Sequence, residues 1–163
     1  MVVPGRGFLL NNELTDFDFA PGKPNSPAAR KRPRSSIAPT LVLDDGKPVV
    51  ALGSPGGSTI ITTVLQILVD RFERGMTLPE AVADPRVSEQ NSASNKSQAE
   101  PAFLSGPDAA ALTAIGHQFT PAPDPGEIGA ATGIEFMRGG KLQAVAEPVR
   151  RGGGSAMVVR TKR

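Results

Sequence analysis

The run Gly53-Ser54-Pro55-Gly56-Gly57-Ser58 constrains this chain more than any other six residues. Pro55 and the paired glycines oppose a strand or helix through it, yet the residues on either side are strongly patterned. Upstream, Leu41-Val42-Leu43 and Val49-Val50-Ala51-Leu52 bracket Asp45-Gly46, a tight-turn signal, and predict a β-hairpin. Downstream, Thr59–Arg74 predicts a helix. Thr59, Thr62, Thr63, Gln66, Asp70, Glu73 and Arg74 make a polar stripe along it. Ile60, Ile61, Val64, Leu65, Ile67, Leu68 and Phe72 make a broad apolar face expected to pack on a sheet. Gly75 is placed to stop it. A strand that enters a glycine turn and leaves as a helix exposes backbone N–H groups at the positive end of the helix dipole. Such a turn suits an oxyanion or a phosphate, because Gly56 and Gly57 admit close approach to the backbone. The alternative is a plain tight turn with Ser58 as helix N-cap. No Lys follows the glycines, which disfavours a P-loop.

The remaining segments predict an α+β layered fold in a single domain, residues 1–163, without internal repeats. Phe8-Leu9-Leu10 reads as a short strand, and residues 20–39, with five prolines, as a long loop. A short helix is expected at Leu78–Ala83, a polar surface loop over residues 88–100, and a helix at Asp108–Ile115 stopped by Gly116. Gly133–Met137 and Leu142–Ala146 read as a second hairpin, and Ser155–Val159 as a last strand. With 7 Phe and neither Trp nor Tyr, the core must be aliphatic, and there is little to stack on nucleic-acid bases. The absence of Cys excludes disulfides, thiolate catalysis and Cys-based zinc sites, and leaves the compartment open. No stretch approaches a membrane span, and residues 1–7 do not read as a signal peptide.

Three polar features are candidates for chemistry. Glu13 and Asp16 put two carboxylates near a strand end, suited to an ammonium group, a metal, acid–base work or plain solvation. Arg30-Lys31-Arg32-Pro33-Arg34 is a local basic cluster in a chain of net charge only +2. It is read as an anion-binding loop or a solvated one, with nucleic acid the weakest reading because no aromatics interleave. Ser35 and Ser36 next to these cations would suit a small carboxylate. His117, the one histidine, is read as a surface or packing residue; it has no second His for a metal and no nucleophile elbow for a triad.

In order along the chain, Gly7-Phe8-Leu9-Leu10-Asn11-Asn12-Glu13-Leu14-Thr15-Asp16-Phe17, Lys31-Arg32-Pro33-Arg34-Ser35-Ser36-Ile37-Ala38-Pro39-Thr40, and Gly53–Ser58 with Ile60–Gln66 resemble the small subunit of the γ-glutamyltranspeptidases. The resemblance is strong over residues 7–90 and weaker beyond. It implies a partial αββα sandwich of the N-terminal-nucleophile hydrolase type, without the strands that carry the nucleophile. It also implies cleavage of γ-glutamyl amides such as glutathione, with the acyl group passed to water, an amino acid or a peptide. By motif position, Glu13 and Asp16 would hold the donor's α-ammonium, Ser35 and Ser36 its α-carboxylate, and the N–H groups of Gly56 and Gly57 the oxyanion. No cofactor or metal is implied. The family's nucleophile is a Thr upstream of the Leu-Leu-Asn-Asn strand, and no Thr precedes Gly7 here. The 163 residues are therefore expected to be inactive alone and to need the upstream part of the same precursor, the large subunit and the start of the small one. The alternatives are an acylase acting on β-lactam side chains or poly-γ-glutamate, and a non-catalytic amino-acid-binding remnant.

Overall fold

The computed structural model describes residues 3–8, 10–91 and 94–157, and the chain divides into two units, Met1–Ser36 and Ile37–Arg163. In the first, the regular element among the described residues is one 3-10 turn, Glu13–Asp16. It is closed by the N–H and hydroxyl of Thr15, which donate to Asn12 O at 2.9 and 2.7 Å. The predicted strand at Phe8-Leu9-Leu10 does not appear: Phe8 and Leu10 are exposed and in no strand, and Leu9 lies outside the described residues. Gly5 and Gly7, both at positive φ, curl the chain so that Val3 N–H bonds back to Phe8 O. The proline-rich loop is irregular, as its composition requires. Asn25 ties it down, donating to Asp16 O and accepting from the Arg34 N–H.

The second unit opens with the predicted hairpin, β1 (Thr40–Asp44) and β2 (Lys47–Gly53), turned by Asp45 and Gly46 at φ 47° and 73°. α1 (Ile60–Phe72) follows a 3-10 turn over Gly57–Thr59. α2 (Leu78–Ala83) starts at a capping box between Thr77 and Glu80, with Pro79 in its first turn. Then come β3 (Val87–Ser88), β4 (Ser97–Ala99), α3 (Pro101–Leu104), α4 (Pro107–Ala114), β5 (Phe119–Pro121), β6 (Thr132–Phe136) and β7 (Leu142–Ala146). β1, β2, β6 and β7 form an antiparallel sheet in that order. α1 and α2 cover one face of it. Val50, Leu52 and Val145 from the sheet meet Val64 and Ile67 from α1 and Leu78, Ala81 and Val82 from α2. A mixed α+β layering with an aliphatic core is thus present.

Four further expectations need correction. Ser58 is not the cap of α1; Thr59 holds that position, and its hydroxyl donates to Gly56 O instead. The apolar face of α1 does not all meet the sheet: Val64 and Ile67 are buried, but Ile61, Leu65 and Phe72 are exposed. The reason is that the polar stripe also faces protein. Thr62 bonds the Ser88 hydroxyl, while Gln66 donates to Pro85 O and accepts from Val87 N–H. The stretch 88–100 is a surface loop only in part: residues 89–91 and 94–96 are exposed and in no strand, but its two ends are strands. β3 pairs antiparallel with β4, and β4 parallel with β5, burying Ser88, Ser97, Ala99 and Glu100. Finally, Ser155–Met157 lie in no strand, and the rest of that predicted strand falls outside the described residues.

Four charged side chains are almost wholly buried together: Arg86, Glu100, Glu147 and Arg150, none more than 6% exposed. Arg150 donates to both Glu100 oxygens at 2.6 Å and to Glu147 Oε1 at 3.1 Å, and Arg86 donates to Glu147 Oε2 at 3.0 Å. Spare guanidinium protons go to the carbonyls of Val82, Asp84 and Ile128. Burial pushes the Glu100 carboxyl up, but Arg150 and the amides of Ile128 and Arg86 outweigh it and hold it below the ordinary range. Glu100→Gln leaves buried cations undercompensated and is expected to cost about 3–5 kcal/mol of stability at neutral pH, read by urea denaturation. Because the folded pKa is depressed, that advantage exists above the ordinary Glu pKa of about 4.3 and is lost as pH falls below it. The two proteins should therefore converge in stability in acid.

Candidate functional site

The glycine turn is set by close packing on one side and open space on the other. Gly56 has φ 150° and ψ 7°, and a Cβ there would lie 2.7 Å from Thr59 Oγ1 and 3.4 Å from Gly129 Cα. Gly57 has φ 56°, and a Cβ on it would meet nothing within 4 Å. Gly56 is thus required by space, Gly57 by conformation. The Thr59 N–H and hydroxyl both bond to Gly56 O, at 3.1 and 3.0 Å, which draws the turn into the start of α1. A cleft of about 470 Å³ opens beside it, lined by Gly56, Ser58 and Thr59, with Gln98, Glu127 and Arg151 among its polar groups. The arrangement can bind a small anion through backbone N–H groups at a helix start.

The other predicted residues lie in the first unit. Glu13 and Asp16 share one 3-10 turn, and the hydrogen bond between their carboxyls, with burial and the Asp16 charge adding, raises the Glu13 pKa. Two carboxyls crowded this way favour a cation nearby. Ser35 and Ser36 stand in the irregular stretch that ends the unit. In the basic cluster, Lys31 is already engaged with the carbonyls of Pro24 and Ser26. The His117 ring stacks on Phe119, with centroids 6.4 Å apart, in keeping with a packing role. Among the described residues, no group of three or more His, Asp or Glu side chains could hold a metal ion.

Sequence reasoning passed over Ser54, Thr63 and Gly129, which pack behind the turn. A Cβ on Gly129, at φ 69°, would sit 2.8 Å from both the Ser54 and Thr63 hydroxyl oxygens. Gly129 gave no local signal, since the contact joins residues far apart in the chain. Gly56→Ala is expected to destabilise by about 1–3 kcal/mol from strain, with the Thr59 clash added. Gly57→Ala, strained but unobstructed, should cost less, about 1–2 kcal/mol. Comparing the two urea midpoints checks the order.

Comparison with known proteins bears on this geometry. The model of the family described as Gamma-glutamyltranspeptidase matches residues 1–157. The glutathione hydrolase proenzyme of Bacillus subtilis (strain 168) is 39% identical over 155 residues, 93% of this chain and 25% of the relative. The Acylase ACY 1 proenzyme of Pseudomonas sp. (strain SE83) is 35% identical over 144 residues, 88% of this chain and 25% of that protein. The chain therefore spans about a quarter of the length of these curated relatives. Among solved structures, gamma-glutamyltranspeptidase from Pseudomonas nitroreducens complexed with L-DON superposes with a TM-score of 0.77 at 34% identity. The match covers 98% of this chain and 86% of that one. Cephalosporin acylase from Bacillus halodurans gives a TM-score of 0.76 at 27% identity, covering 98% of this chain and 29% of that one.

Proposed function

Because the chain belongs to the gamma-glutamyltranspeptidase family, we propose that it supplies the oxyanion-binding and donor-binding groups of an enzyme that cleaves γ-glutamyl amides. The observation that carries the proposal is the Gly56–Gly57 turn, packed tightly behind and open in front at the start of α1. When a nucleophile adds to the γ-carbonyl, the carbonyl oxygen takes up negative charge. The Gly56 and Gly57 N–H groups meet that charge with dipoles already oriented, which lowers the barrier without reorganisation. Glu13 and Asp16 hold the donor's α-ammonium, and Ser35 and Ser36 its α-carboxylate. Glutathione is a substrate of the right kind, and water, an amino acid or a peptide takes the acyl group.

The nucleophile is a Thr in the upstream part of the same precursor, so the 163 residues are inactive without it. Support comes from the relatives, proenzymes about four times as long. Further support comes from the second face of the four-stranded sheet. Leu41, Ala51, Ile134 and Ala144 pair in one row across all four strands, and Leu41 and Ile134 are exposed at 57% and 40%. A β-lactam side-chain acylase is the second reading, favoured by the acylase relatives.

The test removes the Gly57 N–H. Proline cannot adopt the φ of 56° found there, so the replacement is a backbone ester, glycolic acid in place of Gly57, in the complete enzyme. The turnover number is expected to fall about 10²–10³-fold with donor binding unchanged. An unchanged turnover number would reduce the turn to a structural feature. Independently, Asp16→Asn should weaken a γ-glutamyl donor by about 2–5 kcal/mol, thirtyfold or more. A donor lacking the α-amino group should be unaffected, and comparing kcat/KM for the two donors decides.

A further inference from the structure

Each N–H of the glycine turn belongs to a peptide unit whose carbonyl end is held. A trans peptide is planar, with N–H and C=O pointing in opposite directions, so fixing one end aims the other. The Gly57 N–H shares its plane with Gly56 O, which accepts from the Thr59 N–H and hydroxyl at 3.1 and 3.0 Å. The Gly56 N–H shares its plane with Pro55 O, which accepts from the Ser54 hydroxyl at 2.7 Å. A hydrogen bond to a peptide carbonyl also polarises the unit and strengthens its N–H as a donor.

The Ser54 hydroxyl is itself held. Its oxygen accepts the Ala130 N–H at 3.1 Å, so its single proton is directed to Pro55 O. Ala130 is fixed in turn, because the segment Ile128–Ala131 is anchored at both ends in the buried charges. The Ile128 N–H donates to Glu100 Oε1 at 2.7 Å and its carbonyl accepts from Arg86 at 2.7 Å. The Ala131 N–H donates to Glu147 Oε2 at 3.2 Å. The absence of a side chain at Gly129 is what admits the Ser54 hydroxyl here, since a Cβ there would lie 2.8 Å from its oxygen.

The geometry points to Ser54 as a positioning residue that aims the Gly56 N–H at the developing oxyanion, with the segment 128–131 as its buttress. This rests on Gly56 and Gly57 being the oxyanion donors and adds the group that sets one of them. Ser54 touches no substrate in this role. Its loss should therefore appear in the turnover number and not in ground-state binding.

The experiment uses the complete enzyme and compares Ser54→Val with Ser54→Thr, side chains of nearly equal volume of which only Thr keeps the hydroxyl. Ser54→Val is expected to lower kcat about tenfold or more with donor KM within about twofold, while Ser54→Thr recovers most of the loss. Affinity for a boronate analogue of the donor, whose tetrahedral adduct carries the oxyanion, should fall in parallel with kcat. Equal kcat in the Val and Thr variants, or a KM that rises as far as kcat falls, overturns the assignment. If Ser54→Val does not accumulate in folded form, the smaller Ser54→Ala is read against Ser54→Thr by the same criteria. The ester at position 57 separates the two readings. If it keeps full turnover, the oxyanion assignment itself falls. If it loses turnover while Ser54→Val does not, only the role of Ser54 falls.

Discussion

Two arginines and two glutamates, out of contact with water, hold the second unit in register. Moving four charges into a low dielectric costs several kcal/mol per ion, and the cost is offset only where nearly every proton and lone pair finds a partner. Here the four side chains bond to one another and to the backbone of α2's last turn, of Asp84 and Arg86 between α2 and β3, and of the segment before β6. Arg86 Nε is an orphan among these donors. Such a cluster contributes little net stability compared with a hydrophobic substitute, but it tolerates few alternative arrangements. Geometry is what it provides.

That geometry reaches the glycine turn by short steps. Ile128 and Ala131 are pinned to the charges, Gly129 sits where a side chain would collide with the Ser54 and Thr63 hydroxyls, and Ala130 bonds the Ser54 hydroxyl. A site that stabilises developing charge must not relax at the moment of reaction. A loop with two adjacent glycines is flexible by composition, so its rigidity has to be imported. The packing behind Gly56 supplies that rigidity, and the open side of Gly57 keeps the approach clear.

The apolar surface of the second unit has the distribution of an inner layer. α1 buries Val64 and Ile67 against the sheet but leaves Ile61, Leu65 and Phe72 outward, and the sheet leaves Leu41 and Ile134 on its far face. Apolar residues on both sides of a helix, or of a sheet, give weaker periodicity than a one-sided pattern. The helix Thr59–Arg74 was therefore legible as a helix, while the direction of its burial was not.

Local chemistry accounts for what the sequence by itself determined. The Asp45-Gly46 turn, the Gly75 and Gly116 stops and the second hairpin all depend on residues within a few positions of one another. The order of the three motifs, with Gly56 and Gly57 between strand and helix, pointed to the family for the same reason. The tertiary structure alone decided that Ser97–Ala99 form a strand. Ser97-Gln98-Ala99 has no β-branched residue to announce a strand, and it is held by β3 and β5 from either side. It alone brought Arg86 to Glu147, 61 residues away, and Ala130 to Ser54, 76 residues away. Pairings at that distance leave no period or spacing in the chain, because the energy that selects them exists only once water has been excluded from all the partners together.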